Sequence, residues 1–202
     1  AGSISMAADS TLTAANGDVL LQAADSVTLG SISTAGSVGI EAATGSILAA
    51  GSAGTDITAD GLLLRAGDGV GTAGTSLSTD VTTLAARAAA GGIHLIEADA
   101  VTVGDVTVIV QRGAVSGGSM DLSRGALSDL RTTAGNGDIV IETLDGSLTL
   151  GNGTAPADGT AVSADGSGNV MLTAGGASSD IMAEGNIGSG SGNIELEANR
   201  NV

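Results

Sequence analysis

Gly137-Asp138-Ile139-Val140-Ile141-Glu142-Thr143 is the stretch on which the reading of this chain turns. Apolar or small side chains stand at 139, 141 and 143, two residues apart. That is the period of a strand with one buried face; a helix needs apolar residues three and four apart. The same phrase returns as Gly17-Asp18-Val19-Leu20-Leu21-Gln22-Ala23 and Gly36-Ser37-Val38-Gly39-Ile40-Glu41-Ala42. It returns again as Gly168-Asn169-Val170-Met171-Leu172-Thr173-Ala174 and Gly192-Asn193-Ile194-Glu195-Leu196-Glu197-Ala198. Weaker copies start at Gly2, Gly61, Gly92 and Gly118. A self-similar unit at intervals of tens of residues marks a repeat architecture.

The leading Gly with Asp, Asn or Ser predicts a turn, because Gly tolerates positive φ and short polar side chains satisfy local backbone groups. Between the phrases lie further short apolar runs, such as Val27-Thr28-Leu29, Ile32-Ser33-Thr34, Leu148-Thr149-Leu150 and Val162-Ser163-Ala164. Together they predict an all-β chain, a right-handed parallel β-helix (β-solenoid) of roughly nine irregular rungs, one per anchor glycine, forming a single segment over residues 1–202. Within it, Val19, Leu21, Val38, Ile40, Leu64, Ile139, Ile141, Val170, Leu172, Ile194 and Leu196 are expected inside. Gln22, Glu41, Arg65, Glu142, Glu195 and Glu197 are expected outside.

Two stretches depart from the phrase. Leu77, Val81, Leu84, Ala85 and Ala88 have helical spacing, but Thr79, Thr82 and Thr83 favour a strand with Leu84, Ala86 and Ala88 inward. Residues 111–131, where Arg112, Arg124 and Arg131 concentrate, are expected to form an irregular or protruding rung.

Composition narrows the function. The chain has 34 Gly, 42% hydrophobic residues and no Phe, Tyr or Trp, which suits a thin aliphatic prism. It lacks the rings that stack on sugars or on unpaired bases. Six Arg, no Lys and 22 acidic residues give a net charge of −16, which repels nucleic acid and anionic lipid. No apolar run reaches the length of a membrane helix. There is no cysteine, hence no disulfide, thiol chemistry or thiolate metal site. The opening residues lack the basic and apolar regions of a secretory signal, and the chain begins without Met. A full-strength repeat lies just before Val202. These features create the expectation of a segment cut from a longer repeat protein, whose open ends continue into further repeats or stack end to end.

Residues that could carry chemistry are few. The one histidine, His94, lies between Ile93 and Leu95 and is expected to point outward, exposed and without a catalytic partner. Glu195 and Glu197 share an outward face as solvated carboxylates. Asp18, Asp56, Asp68, Asp105, Asp138 and Asp165 fall at turns, one per turn, far short of a calcium cage. Gly67-Asp68-Gly69-Val70-Gly71 is glycine-rich like a phosphate loop but has no following helix and no Lys. No catalytic, cofactor-binding or metal-binding residue is therefore assigned, and the expectation is a non-enzyme.

The Gly-[Asp/Ser/Asn]-[Val/Ile]-x-[Leu/Ile]-x-[Ala/Thr] phrase, the Asn-Gly-Asp and Gly-Ser-Gly-Asn corners, and the strings Gly71-Thr72-Ala73-Gly74 and Ile96-Glu97-Ala98-Asp99 resemble large bacterial exoproteins of the filamentous haemagglutinin type. The resemblance spans nearly the whole chain. It implies a β-helical stalk of a secreted or surface-attached adhesin, spacing a binding tip from the cell, and it carries over no functional residue. The competing expectations are a carbohydrate-active β-helix enzyme and an ice- or mineral-binding face built on ladders such as Thr11-Leu12-Thr13.

Overall fold

The computed structural model describes residues 2–51, 54–113, 115 and 117–202. Every regular element among them is a strand, and all but two of the strands pair in parallel with strands of neighbouring coils, the two forming a separate hairpin. The architecture is β-solenoid-like. A parallel ladder needs a long crossover between partners, and the register separations run from 18 residues (Leu77 opposite Leu95) to 47 (Val101 opposite Leu148), with 19 for Val19 opposite Val38 and 31 for Ile139 opposite Val170.

The phrases do not all occupy one stack. Val19–Ala23 pairs with Ser37–Ala42, which pairs with the second half of Ile57–Ala66. That stack continues through the end of Leu77–Ala88 to Leu130–Thr132, Thr160–Ala164 and Asn186–Ser189. The later phrases, Gly92–Glu97, Ile139–Thr143, Val170–Ala174 and Ile194–Ala198, form a different stack. The switch falls beside Leu77–Ala88, a 12-residue strand in the stretch where helical spacing competed. Its Leu84, Ala86 and Ala88 point inward, and Ala85 is buried on the opposite side.

Inward columns are aliphatic. Val38, Ile40, Leu64, Ile139, Ile141 and Leu172 are wholly buried, and Val19 and Val170 nearly so. Three expected core residues differ. Leu21 and Leu196 are half-buried, and Ile194 is 47% exposed, because Ile194–Ala198 pairs on one side only. Glu41 and Arg65 are also half-buried, in contrast to the exposed Gln22, Glu142, Glu195 and Glu197.

The cause of that burial is an antiparallel hairpin, Val106–Gly113 with Ser119–Leu127. The weak phrase at Gly118 thus opens a hairpin arm and anchors no stacked strand. The hairpin lies over an outward-facing column that is apolar, Leu20 opposite Gly39, Gly39 opposite Leu63 and Leu63 opposite Ala85. Leu63, Ala85, Val106, Val108 and Leu127 form a second buried cluster outside the main core. Polar contacts fasten it: the Ile109 amide donates to Asp18 Oδ2 at 2.9 Å, Arg65 donates to the Gly125 carbonyl at 3.1 Å, and Arg124 pairs with Glu41 at 3.1 Å.

Two faces make two predictions, both checked by urea unfolding. Ile141→Asp places an unpaired charge in a closed interior and should cost on the order of 4 kcal/mol, while Glu142→Ala should stay within about 0.5 kcal/mol of wild type. Leu63→Ala, at an outward position, should cost about 2–4 kcal/mol because the hairpin has buried it.

Candidate functional site: a buried glutamate and a column of arginines

The turn carboxylates and amides serve the coil. Asp18 Oδ1 accepts from the Ser37 amide at 2.9 Å, and Asp56 Oδ2 from the Ser78 amide at 2.9 Å. Asp138 Oδ1 accepts from the Asn169 amide at 2.7 Å, and Asn169 Oδ1 from the Asn193 amide at 2.9 Å. Asp105 accepts from the Thr154 amide and hydroxyl, and Asp68 from the Ser46 hydroxyl. Each side chain thus satisfies a neighbouring coil rather than its own turn, which corrects the local-turn expectation. Asp165 differs and lines a hollow beside Arg131.

The anchor glycines need correction in part, since Gly92 and Gly118 have the positive φ expected of them. Gly17, Gly36, Gly137, Gly168 and Gly192 are not among the positive-φ residues. Nothing lies close to a Cβ on Gly17, but the other four require close approach: a Cβ on Gly36 would lie 3.0 Å from the Gly17 carbonyl carbon, and one on Gly137 would lie 2.7 Å from the Gly92 amide nitrogen. Backbone stacks on backbone there, and only a residue without a side chain fits.

The glycine-rich loop at 67–71 is likewise consumed by the coil. The amides of Gly67, Asp68 and Gly71 donate to the carbonyls of Ala42, Gly45 and Ile47, leaving no cradle of free amides for phosphate. Thr11 and Thr13 stack on Ser31 and Ser33, so no threonine ladder builds on that pair. Glu195 and Glu197 are exposed as expected.

His94 is not exposed. It lies on the outward side of Gly92–Glu97 yet is only 8% accessible, and burial holds its pKa below the ordinary value, with Asp138 opposing. Its ring approaches Gly92 at the Gly91-Gly92 corner, packed where that corner meets Asp138.

The most unusual polar group escaped the sequence reading. Glu97 is 1% exposed and points inward, in register with Thr143 and Thr79. Anchoring the weak phrase at Gly92 puts Glu97 outside; framed on Gly91, the phrase puts Ile93, Leu95 and Glu97 inward, as they are in Gly92–Glu97. The alternation of Ile93 and Leu95 about His94 was the available signal. Glu97 takes the inward place that Ala42 and Ala174 hold in other phrases. Its Oε2 accepts from the Thr79 hydroxyl at 2.6 Å, and its Oε1 from the amides of Val81 and Ala98 at 3.0 and 3.1 Å. Burial pushes its pKa up, these hydrogen bonds oppose that, and nearby Asp99 adds to the rise. Asp80, Glu97 and Asp99 bring carboxylate oxygens within 4.8 Å of one another. Three such groups fall short of the six to eight oxygens calcium takes, and the Glu97 oxygens are already engaged by the fold.

Opposite in charge is a column on the hairpin side. Arg65 stands opposite Arg87, and Arg87 opposite Arg131. Burial pushes the Arg65 pKa down, Glu41 opposes that, and Arg87 and Arg124 add to the fall.

Glu97 generates a pH prediction. A folded-state pKa above its ordinary 4.5 means that its contribution to stability is complete below that value and is lost as pH rises through the folded value. Glu97→Gln keeps an acceptor for the two amides and should match wild type near pH 4, then gain on it by pH 7. Paired urea melts at the two pH values check this, and a gap that does not open contradicts it.

No family model, curated protein or solved structure matches the chain.

Proposed function

We propose that this chain is a stalk segment of a secreted or surface-attached bacterial adhesin of the filamentous haemagglutinin type, a right-handed coil of roughly nine rungs that spaces a binding tip from the cell. It acts as a spacer and not as an enzyme, outside the cell, with neighbouring repeats as its partners. The observation that carries this reading is how the polar corner groups are used. Asp18, Asp56, Asp138 and Asn169 each spend a side-chain oxygen on the backbone of the next coil. A chain whose polar groups serve coil-to-coil stacking is built for length, and its stability is a sum of nearest-neighbour terms.

The test is made on the full parent protein in its own cell. Removing whole coils from this segment should shorten the surface fibre seen by electron microscopy while leaving ligand capture at its tip intact. A fibre of unchanged length, or release of products from a polysaccharide panel that is lost on changing His94, would contradict the spacer reading.

A further inference from the structure

Arginine is scarce in this chain, six residues against 22 acidic ones, yet three stand in one vertical line. Parallel strands lie about 4.8 Å apart, and like charges directly opposite one another on adjacent strands are destabilising. The outer two members have counter-charges. Arg65 faces Glu41 at 3.8 Å, a carboxylate it shares with Arg124, and Arg131 faces Asp158 at 3.7 Å. Arg87, between them, is exposed and makes no hydrogen bond or ion pair with any described residue.

Hollows converge on Arg87. One, of about 340 Å³, is walled by the three arginines, Leu127 and Pro156 and reaches the buried Asp129. Asp129 Oδ1 has no hydrogen-bond partner among the described residues. A second hollow, of about 520 Å³, continues past Arg131 over Thr133, Ser163 and Gly188. Charge, an unpaired cation and a walled space therefore coincide at one place.

We propose that the Arg65–Arg87–Arg131 column is a binding site for a compact dicarboxylate, with one carboxylate set against each neighbouring pair of guanidinium groups. A guanidinium presents a planar fork of donors that matches a carboxylate with two parallel hydrogen bonds. Two forks one strand spacing apart call for negative charge at two separated points, which a dicarboxylate supplies and a single phosphate does not. Long polyanions are disfavoured by the net charge of −16 and by the hairpin wall. The site is independent of the stalk reading, since it rests on one face of the coil and not on what the coil spaces.

Calorimetric titration of the whole chain with succinate tests it, alongside acetate, inorganic phosphate, polyglutamate and sodium chloride at matched ionic strength. Saturable succinate binding, about tenfold tighter than acetate, is expected, and Arg87→Gln should weaken it by about tenfold. Arg87→Lys should weaken it as well, because it keeps the charge but loses the fork. Arg112→Gln, on the hairpin and outside the column, should bind as wild type. Thermal melts give a second reading: without ligand, Arg87→Gln should melt higher than wild type, and succinate should raise wild type alone. No saturable heat with succinate, equal binding by Arg87→Gln, tighter binding of phosphate or polyglutamate, or a chloride effect of equal size would each overturn the proposal.

Discussion

Backbone hydrogen bonding between successive coils governs everything else in this molecule. Each strand has its partners one coil away, so its amides and carbonyls are satisfied only if the coils stack at strand spacing along their whole circuit, corners included. At the corners this leaves no volume for side chains. Gly137 rests against Gly92, and Gly168 and Gly192 stack above it in turn. The Asp or Asn that follows each glycine then closes the gap between coils with a side-chain acceptor, as in the run from Asp138 through Asn169 to Asn193. The sequence phrase is therefore a stacking device first and a turn second.

The same constraint explains the departures. A coil interior is narrow, so extra apolar surface has to go outside, and the Leu20, Gly39, Leu63 and Ala85 column does so under the hairpin. Gly39 is needed there because a Cβ would meet Val108 at 3.2 Å. The hairpin in turn half-buries Glu41 and Arg65, which makes ion pairs such as Arg124 with Glu41 worth more than fully solvated ones. Charge accumulates on this side because Arg65, Arg87 and Arg131 fall on equivalent positions of neighbouring coils.

Much of this was legible in the residues, and the limits have physical causes. Period-two alternation located Val38, Ile40, Ile139, Ile141 and Leu172 in the core, since inside and outside follow directly from the pleat. It resolved Leu77–Ala88 as a strand through its threonines. Alternation says nothing of what lies beyond the outward face, so the burial of Leu63 and Ala85 and the closure over Arg65 were hidden. A frame shift of one residue inverts a strand, and the anchor at Gly92 and the outward His94 imply opposite frames there, so the burial of Glu97 was not legible. The change of stack beside Leu77–Ala88 was also hidden, because the phrase reads alike on either face. The arginine column depends on register across 22 and 44 residues, which only the coil lengths decide.

The central claim is that glycine stacking at the corners holds successive coils together, and Gly168→Ala tests it most directly. Its Cβ would meet the Gly137 backbone, with the carbonyl carbon 2.9 Å away. Native-state hydrogen exchange on this variant should show lost protection in Ile139–Thr143, Val170–Ala174 and Ile194–Ala198, with Val19–Ala23 and Ser37–Ala42 still protected. Unchanged protection throughout, or an even loss over the whole chain, would contradict it.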